Sequence, residues 1–138
     1  AQARLVQIEV TRDRGSPDFE VEIHNYGDRA IIGAAVVNAW WFGHPEYSWR
    51  HSDAERDRLR IVQPERDAPG ESVRISFDDA EGNAVPKLLR VDGYGFQHFD
   101  EVTIMPDAVV VFMDANGNLW QTGSSLAPRR VDSPPESQ

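Results

Sequence analysis

The chain has 138 residues, 40 % of them hydrophobic with ten glycines besides, which makes about 47 % apolar-plus-glycine and is ordinary for one globular domain that buries roughly 68–70 % of its unfolded surface. The absence of cysteine excludes thiol catalysis, cysteine-ligated zinc, iron–sulfur ligation and disulfides, and a net charge of −9 argues against nucleic acid and anionic membrane as partners, because phosphate binding needs clustered Lys and Arg. No run approaches the roughly 18 apolar residues of a spanning helix, so no direct membrane insertion is expected, and a chain beginning at Ala1 rather than Met reads as a processed or excised piece.

Arg4 to Thr11 alternates, with Val6, Ile8 and Val10 on one face and Gln7, Glu9 and Thr11 on the other, which is the two-residue period of a half-buried strand. Asp18 to Asn25 repeats the pattern with Phe19, Val21 and Ile23 against Glu20, Glu22 and His24. Turn chemistry separates these strands at Gly15-Ser16-Pro17-Asp18 and follows them at Asn25-Tyr26-Gly27-Asp28. Ala30 to Phe42 is almost continuously apolar, as expected of a central strand covered on both faces. Ser52-Asp53-Ala54-Glu55 has capping-box spacing, so a short helical turn is expected over 52–58.

Strand signals resume at Leu59 to Val62 and at Ser72 to Phe77, with Pro69-Gly70 turning between them. Residues 78–100 are interrupted by Gly82, Pro86, Gly93 and Gly95 and read as an irregular crossing with one short strand. Val102 to Met105, Ala108 to Met113 and Leu119 to Thr122 close the strand set, with Asn116-Gly117 as a strong hairpin signal. Seven to eight strands at this spacing predict an all-β, antiparallel β-sandwich of immunoglobulin-like type, with Trp40 or Trp41 as the core tryptophan of the third strand. The domain is expected over 1–123, with 124–138 as a flexible Pro/Ser-rich tail, and no internal repeat is evident.

The densest chemical feature is Trp40-Trp41-Phe42-Gly43-His44-Pro45-Glu46-Tyr47-Ser48-Trp49-Arg50-His51, with five of the thirteen aromatic residues in ten positions. Flat rings bury large area and polar neighbours fix orientation, so Trp41, His44, Glu46, Tyr47, Trp49 and Arg50 are the expected binding surface, and a protein partner is the leading reading. A carbohydrate-binding module is the alternative if Trp41, Tyr47 and Trp49 form a coplanar exposed platform. In the plainer reading the same rings fill the core and close one end of the sandwich.

Of the four histidines, His24, His44, His51 and His98, none has zincin spacing. A metal-dependent hydrolase would need His44, His51 and a carboxylate to converge, and neither a metal nor a cofactor is expected. The oxygen-rich stretches Asp78-Asp79-Glu81-Asn83 and Asp114-Asn116-Asn118 could ligate calcium, but the EF-hand register fails at Gly117 and Asx-turn bending is the plainer reading. There is no nucleophile elbow, phosphate loop, dinucleotide fingerprint or spaced carboxylate pair, so no enzyme is expected.

Val21 to Asn25 with Gly27 and Ile31, then Pro69-Gly70-Glu71 and a strand, then Phe112-Met113-Asp114-Ala115-Asn116-Gly117-Asn118-Leu119-Trp120, resembles small sandwich domains of high-GC Gram-positive bacteria over about residues 21–126. Phe-x-Asp-x-x-Gly-x-x-Trp is the distinctive piece. The resemblance implies an interaction or adaptor role, often in membrane-tethered chains, assigns no chemistry, and places Trp120 in the packing face of the last strand.

Overall fold

The computed structural model describes residues 5–12, 17–52, 60–85, 90–91, 97–98 and 106–131. Strict alternation in the first two segments produces β1 (Val6–Arg12) and β2 (Phe19–Asn25), paired antiparallel with Val10 opposite Val21 and Glu9 opposite Glu22. One face of this pair presents Val6, Ile8, Phe19, Val21 and Ile23 to the core, and the other carries the acids. β6 (Glu71–Asp78) extends the sheet beside β2, and β4 (Ser48–His51) closes it, in the order β1-β2-β6-β4.

The second sheet has the order β11-β10-β9-β3-β5, from β3 (Ile31–Trp41), β5 (Arg60–Val62), β9 (Pro106–Met113), β10 (Leu119–Gly123) and β11 (Arg129–Val131). A short pair, β7 (Arg90–Val91) with β8 (Gln97–His98), stands apart from both sheets. The two sheets pack face to face over Phe19, Ile23, Ile75 and Phe77 from the first and Ile31, Trp41, Val110 and Phe112 from the second, all nearly inaccessible. The protein is an all-β antiparallel sandwich. β1-β2-β6 against β3-β9-β10 follows the inner strand order of an immunoglobulin sandwich, but the strand flanking β6 precedes the strand flanking β3 in the chain, where the immunoglobulin order has them reversed.

β3 explains its own apolar run. Its buried residues are Ile31, Ala34, Val36, Ala39 and Trp41, a period of two broken twice by an extra residue. Register shifts fall at the same places, between Ile32 and Ala35 and between Val36 and Asn38. Gly33 takes the left-handed φ of +63° at the first, and Asn38 accepts the Ala39 amide on its own side chain, at 2.9 Å, at the second. Two bulges restore the parity, so Trp41 points inward and Trp40 outward.

The hairpin between β9 and β10 is built on Asp114. Its Oδ1 accepts the Asn116 and Asn118 amides at 2.9 and 3.0 Å, Gly117 N–H bonds the Asp114 carbonyl, and Gly117 has φ +83°. Among the described residues no non-glycine has positive φ, so this is not the two-residue type I′ turn that Asn-Gly suggests but a three-residue loop closed by a left-handed glycine. The turn after β6 is the same object. Asp79 Oδ1 accepts the Glu81 and Asn83 amides at 2.9 and 3.0 Å, Gly82 N–H bonds the Asp79 carbonyl, and Gly82 has φ +83°. Phe77-Asp78-Asp79-Ala80-Glu81-Gly82-Asn83 and Phe112-Met113-Asp114-Ala115-Asn116-Gly117-Asn118 are therefore a local repeat of sequence and geometry, contrary to the expectation of none.

The expected helical turn over 52–58 and the strand Val102 to Met105 lie outside the described residues except at Ser52. β11 pairs with β10 through Leu119 and Val131, so the sheet continues into the stretch that composition assigned to the tail.

Candidate functional site

The aromatic stretch splits between two strands and the loop joining them. Two successive turns make that loop, closed by His44 N–H to Trp41 O at 3.1 Å and Tyr47 N–H to His44 O at 3.2 Å. Gly43, with φ +85°, supplies the left-handed third position that the first turn requires. Phe42 is thereby pushed to the apex, where its ring is 59 % exposed and meets Trp40 edge to face at 6.3 Å. Behind it, the His44 and Tyr47 rings stack with centroids 4.6 Å apart and planes 2° from parallel. His44 Nδ1 lies 3.0 Å from Glu46 Oε1.

Electrostatics within the loop follow this geometry. The Glu46 carboxyl is held below its ordinary range by its own backbone N–H, then by the His44 ring. Tyr47 is pushed up, by burial first and then by the neighbouring carboxylates Glu46 and Asp79. Beside Phe42 an open cleft of about 650 Å³ is lined by Val10, Arg12, Pro106, Asp107, Ser124 and Ser125. Asp107 is buried there, accepting the Ser124 and Ser125 hydroxyls and, at 2.8 Å, the Ala108 amide. Those bonds commit its carboxylate to holding the 124–125 segment against β9.

Three of the six expected surface residues belong elsewhere. Trp41 is buried at 2 % exposure, donating its indole N–H to Pro17 O at 2.7 Å and meeting Phe19 edge to face at 5.9 Å. It is the core tryptophan of the third strand and not part of a surface. Trp49 lies in β4, half-buried against the core with its ring tilted 69° to His51, and is not a loop residue. Arg50, in the same strand, pairs with Asp78 at 3.1 Å. A coplanar exposed platform of Trp41, Tyr47 and Trp49 therefore does not exist. Phe42 and Trp40, absent from the expected set, are the outward rings, and the parity of β3 with its two bulges is what decides this.

His44 and His51 do not converge. His44 is engaged with Glu46, His51 sits in β4 opposite Ile75, and among the described residues no cluster of three ligating side chains contains either. The two oxygen-rich turns spend their carboxylates internally, Asp79 on the Glu81 and Asn83 amides and Asp114 on two amides and the Trp120 indole at 2.9 Å. Trp120, partly buried, packs against the core, and its bond to Asp114 gives the distinctive sequence piece a structural role.

No family model matches the chain, and neither the curated proteins nor the solved structures include a significant match to it.

Proposed function

We propose that this domain is a non-catalytic interaction module, an adaptor or accessory unit, that binds a protein partner through the loop between β3 and β4. The observation that carries the reading is Phe42, a ring left 59 % exposed at the apex of a hydrogen-bonded turn, backed by Trp40 and bordered by an open cleft. Exposed aromatic rings on a rigid support, ringed by polar groups, have the composition of a binding hot spot. The stacked His44–Tyr47 pair and the Glu46 carboxylate supply orientation at the rim. The resemblance to accessory sandwich domains of high-GC Gram-positive bacteria points to the same role.

Photo-crosslinking tests the proposal. A crosslinker placed at position 42 should capture a discrete partner that Trp40→Ala reduces, while the same group at Glu20, on the outer face of β2, should capture none. Equal capture at both positions, or at neither, refutes the proposal. Amide shifts confined to Trp40, Phe42 and Tyr47 on adding soluble oligosaccharides would instead favour the carbohydrate reading.

A further inference from the structure

The outer face of β1 and β2 carries an arrangement that the proposed binding role does not use. Glu9 and Glu22 are directly opposed across the antiparallel pair, a placement in which like charges repel. His24, two residues beyond Glu22, brings its Nε2 to 3.5 Å from Glu9 Oε2, and the ligand atoms of Glu9, Glu22 and His24 all lie within 4.8 Å of one another. That Nε2 is sealed from solvent yet makes no hydrogen bond. The opposite ring nitrogen, Nδ1, is held by Glu65 Oε1 at 2.7 Å.

We propose that Glu9, Glu22 and His24 bind a divalent first-row transition cation of the zinc type. Three independent features point there. A carboxylate on the far nitrogen fixes ring orientation and raises basicity at the near one, which is the usual support of a metal-binding histidine. The Nε2–Oε2 separation of 3.5 Å is close to the edge of a tetrahedron with bonds of about 2.1 Å. The opposed carboxylates carry the negative charge that a cation would neutralise. Thr11 Oγ1 donates to Glu22 Oε2 at 3.0 Å and steadies that carboxylate, while Glu9, 62 % exposed, is free to swing onto the ion.

The imidazole makes the site selective, because nitrogen favours zinc over magnesium. Glu65 is a positioning residue, resting over Gly70, where a Cβ would come within 2.9 Å of both Glu65 Oε1 and His24 Nδ1.

Calorimetric titration of the domain with Zn²⁺, with Mg²⁺ as a parallel arm, tests the assignment. One equivalent of Zn²⁺ should bind, weakened at least tenfold in His24→Gln and in Glu22→Gln, and about tenfold in Glu65→Gln through loss of the supporting carboxylate. His44→Gln should leave it unchanged. Broadening of amide signals by Mn²⁺ in the unaltered protein, centred on Glu9, Glu22 and His24, provides a readout that needs no variant. The proposal fails if no saturable Zn²⁺ binding occurs, if His24→Gln weakens it less than tenfold, if His44→Gln weakens it as much, if Mg²⁺ binds as tightly, or if broadening centres elsewhere.

Discussion

Because one turn is built twice, the contribution of a single hydrogen bond can be isolated by substituting Asp114 and Asp79 in parallel. Asp79 and Asp114 each accept two backbone amides on Oδ1 at matching distances, but Asp114 is buried and also accepts the Trp120 indole on Oδ2 at 2.9 Å. Hydrogen bonds to a charged acceptor contribute roughly 1.5–3 kcal/mol each when buried, and the two amides of an exposed turn recover much of theirs from water. Asp79→Ala is therefore expected to cost about 1 kcal/mol and Asp114→Ala about 3 kcal/mol. At roughly 3–4 °C per kcal/mol for a chain of this length, Tm should fall by about 3–4 °C and about 10 °C respectively.

Asp114→Asn keeps an oxygen for the turn amides but turns an NH₂ toward the indole N–H, so it should lose about 2 kcal/mol. Thermal and urea unfolding followed by circular dichroism would read all three. The pH dependence provides a second constraint. Burial alone would push the Asp114 carboxyl up, but the hydrogen bonds from the Asn118 amide, the Trp120 indole, the Asn116 amide and the Asn118 side chain outweigh it and hold the group below its ordinary range. A depressed folded value stabilises above the unfolded value of about 4 and is lost as pH falls through the folded one, so the Asp114→Ala penalty should shrink below about pH 4. Equal costs for Asp79→Ala and Asp114→Ala, or an Asp114→Asn cost under about 0.5 kcal/mol, would refute the assignment of the extra stability to the indole bond.

Trp41→Ala should destabilise by about 3–5 kcal/mol in urea unfolding, because it empties the centre of the core and strands the Pro17 carbonyl. Phe42→Ala, at the exposed apex of the loop that follows β3, should change stability by less than about 0.5 kcal/mol. Gly70→Ala should cost about 1–3 kcal/mol, since its Cβ would meet the Ile23 carbonyl at 2.6 Å, and should separate Glu65 from His24, visible as a change in the His24 ring signals by NMR. His44→Ala should let the Glu46 carboxyl titrate at higher pH, by loss of the ring contact, with the backbone contribution left in place. An unchanged Glu46 titration would mean that the ring contact is not populated in solution.

Alternation alone determined most of this protein. Val6, Ile8, Phe19, Val21, Ile23, Val73, Ile75 and Phe77 occupy core positions because side chains on a strand alternate faces, and that rule is local. The all-β class follows from the same rule together with the turn residues that punctuate it. β4 is not legible in the sequence, because Ser48 to His51 is short and its alternation only half-buried, so its strand character depends on pairing with β6. The repeated turn was legible in principle, as two Asp-Ala-x-Gly-Asn pieces, but only the matching hydrogen bonds show that they are equivalent.

The candidate surfaces were decided by tertiary structure. Trp40 and Trp41 are adjacent and chemically alike, and which one faces solvent depends on bulges set by the pairing of β3 with β9, a partner more than sixty residues away. Glu9, Glu22, His24 and Glu65 come from three separate segments and meet because β1 pairs with β2 in one register and the turn after β5 folds back under His24. Local periodicity specifies which face of a strand is apolar. Register and packing, which are long-range, specify which polar groups share a site.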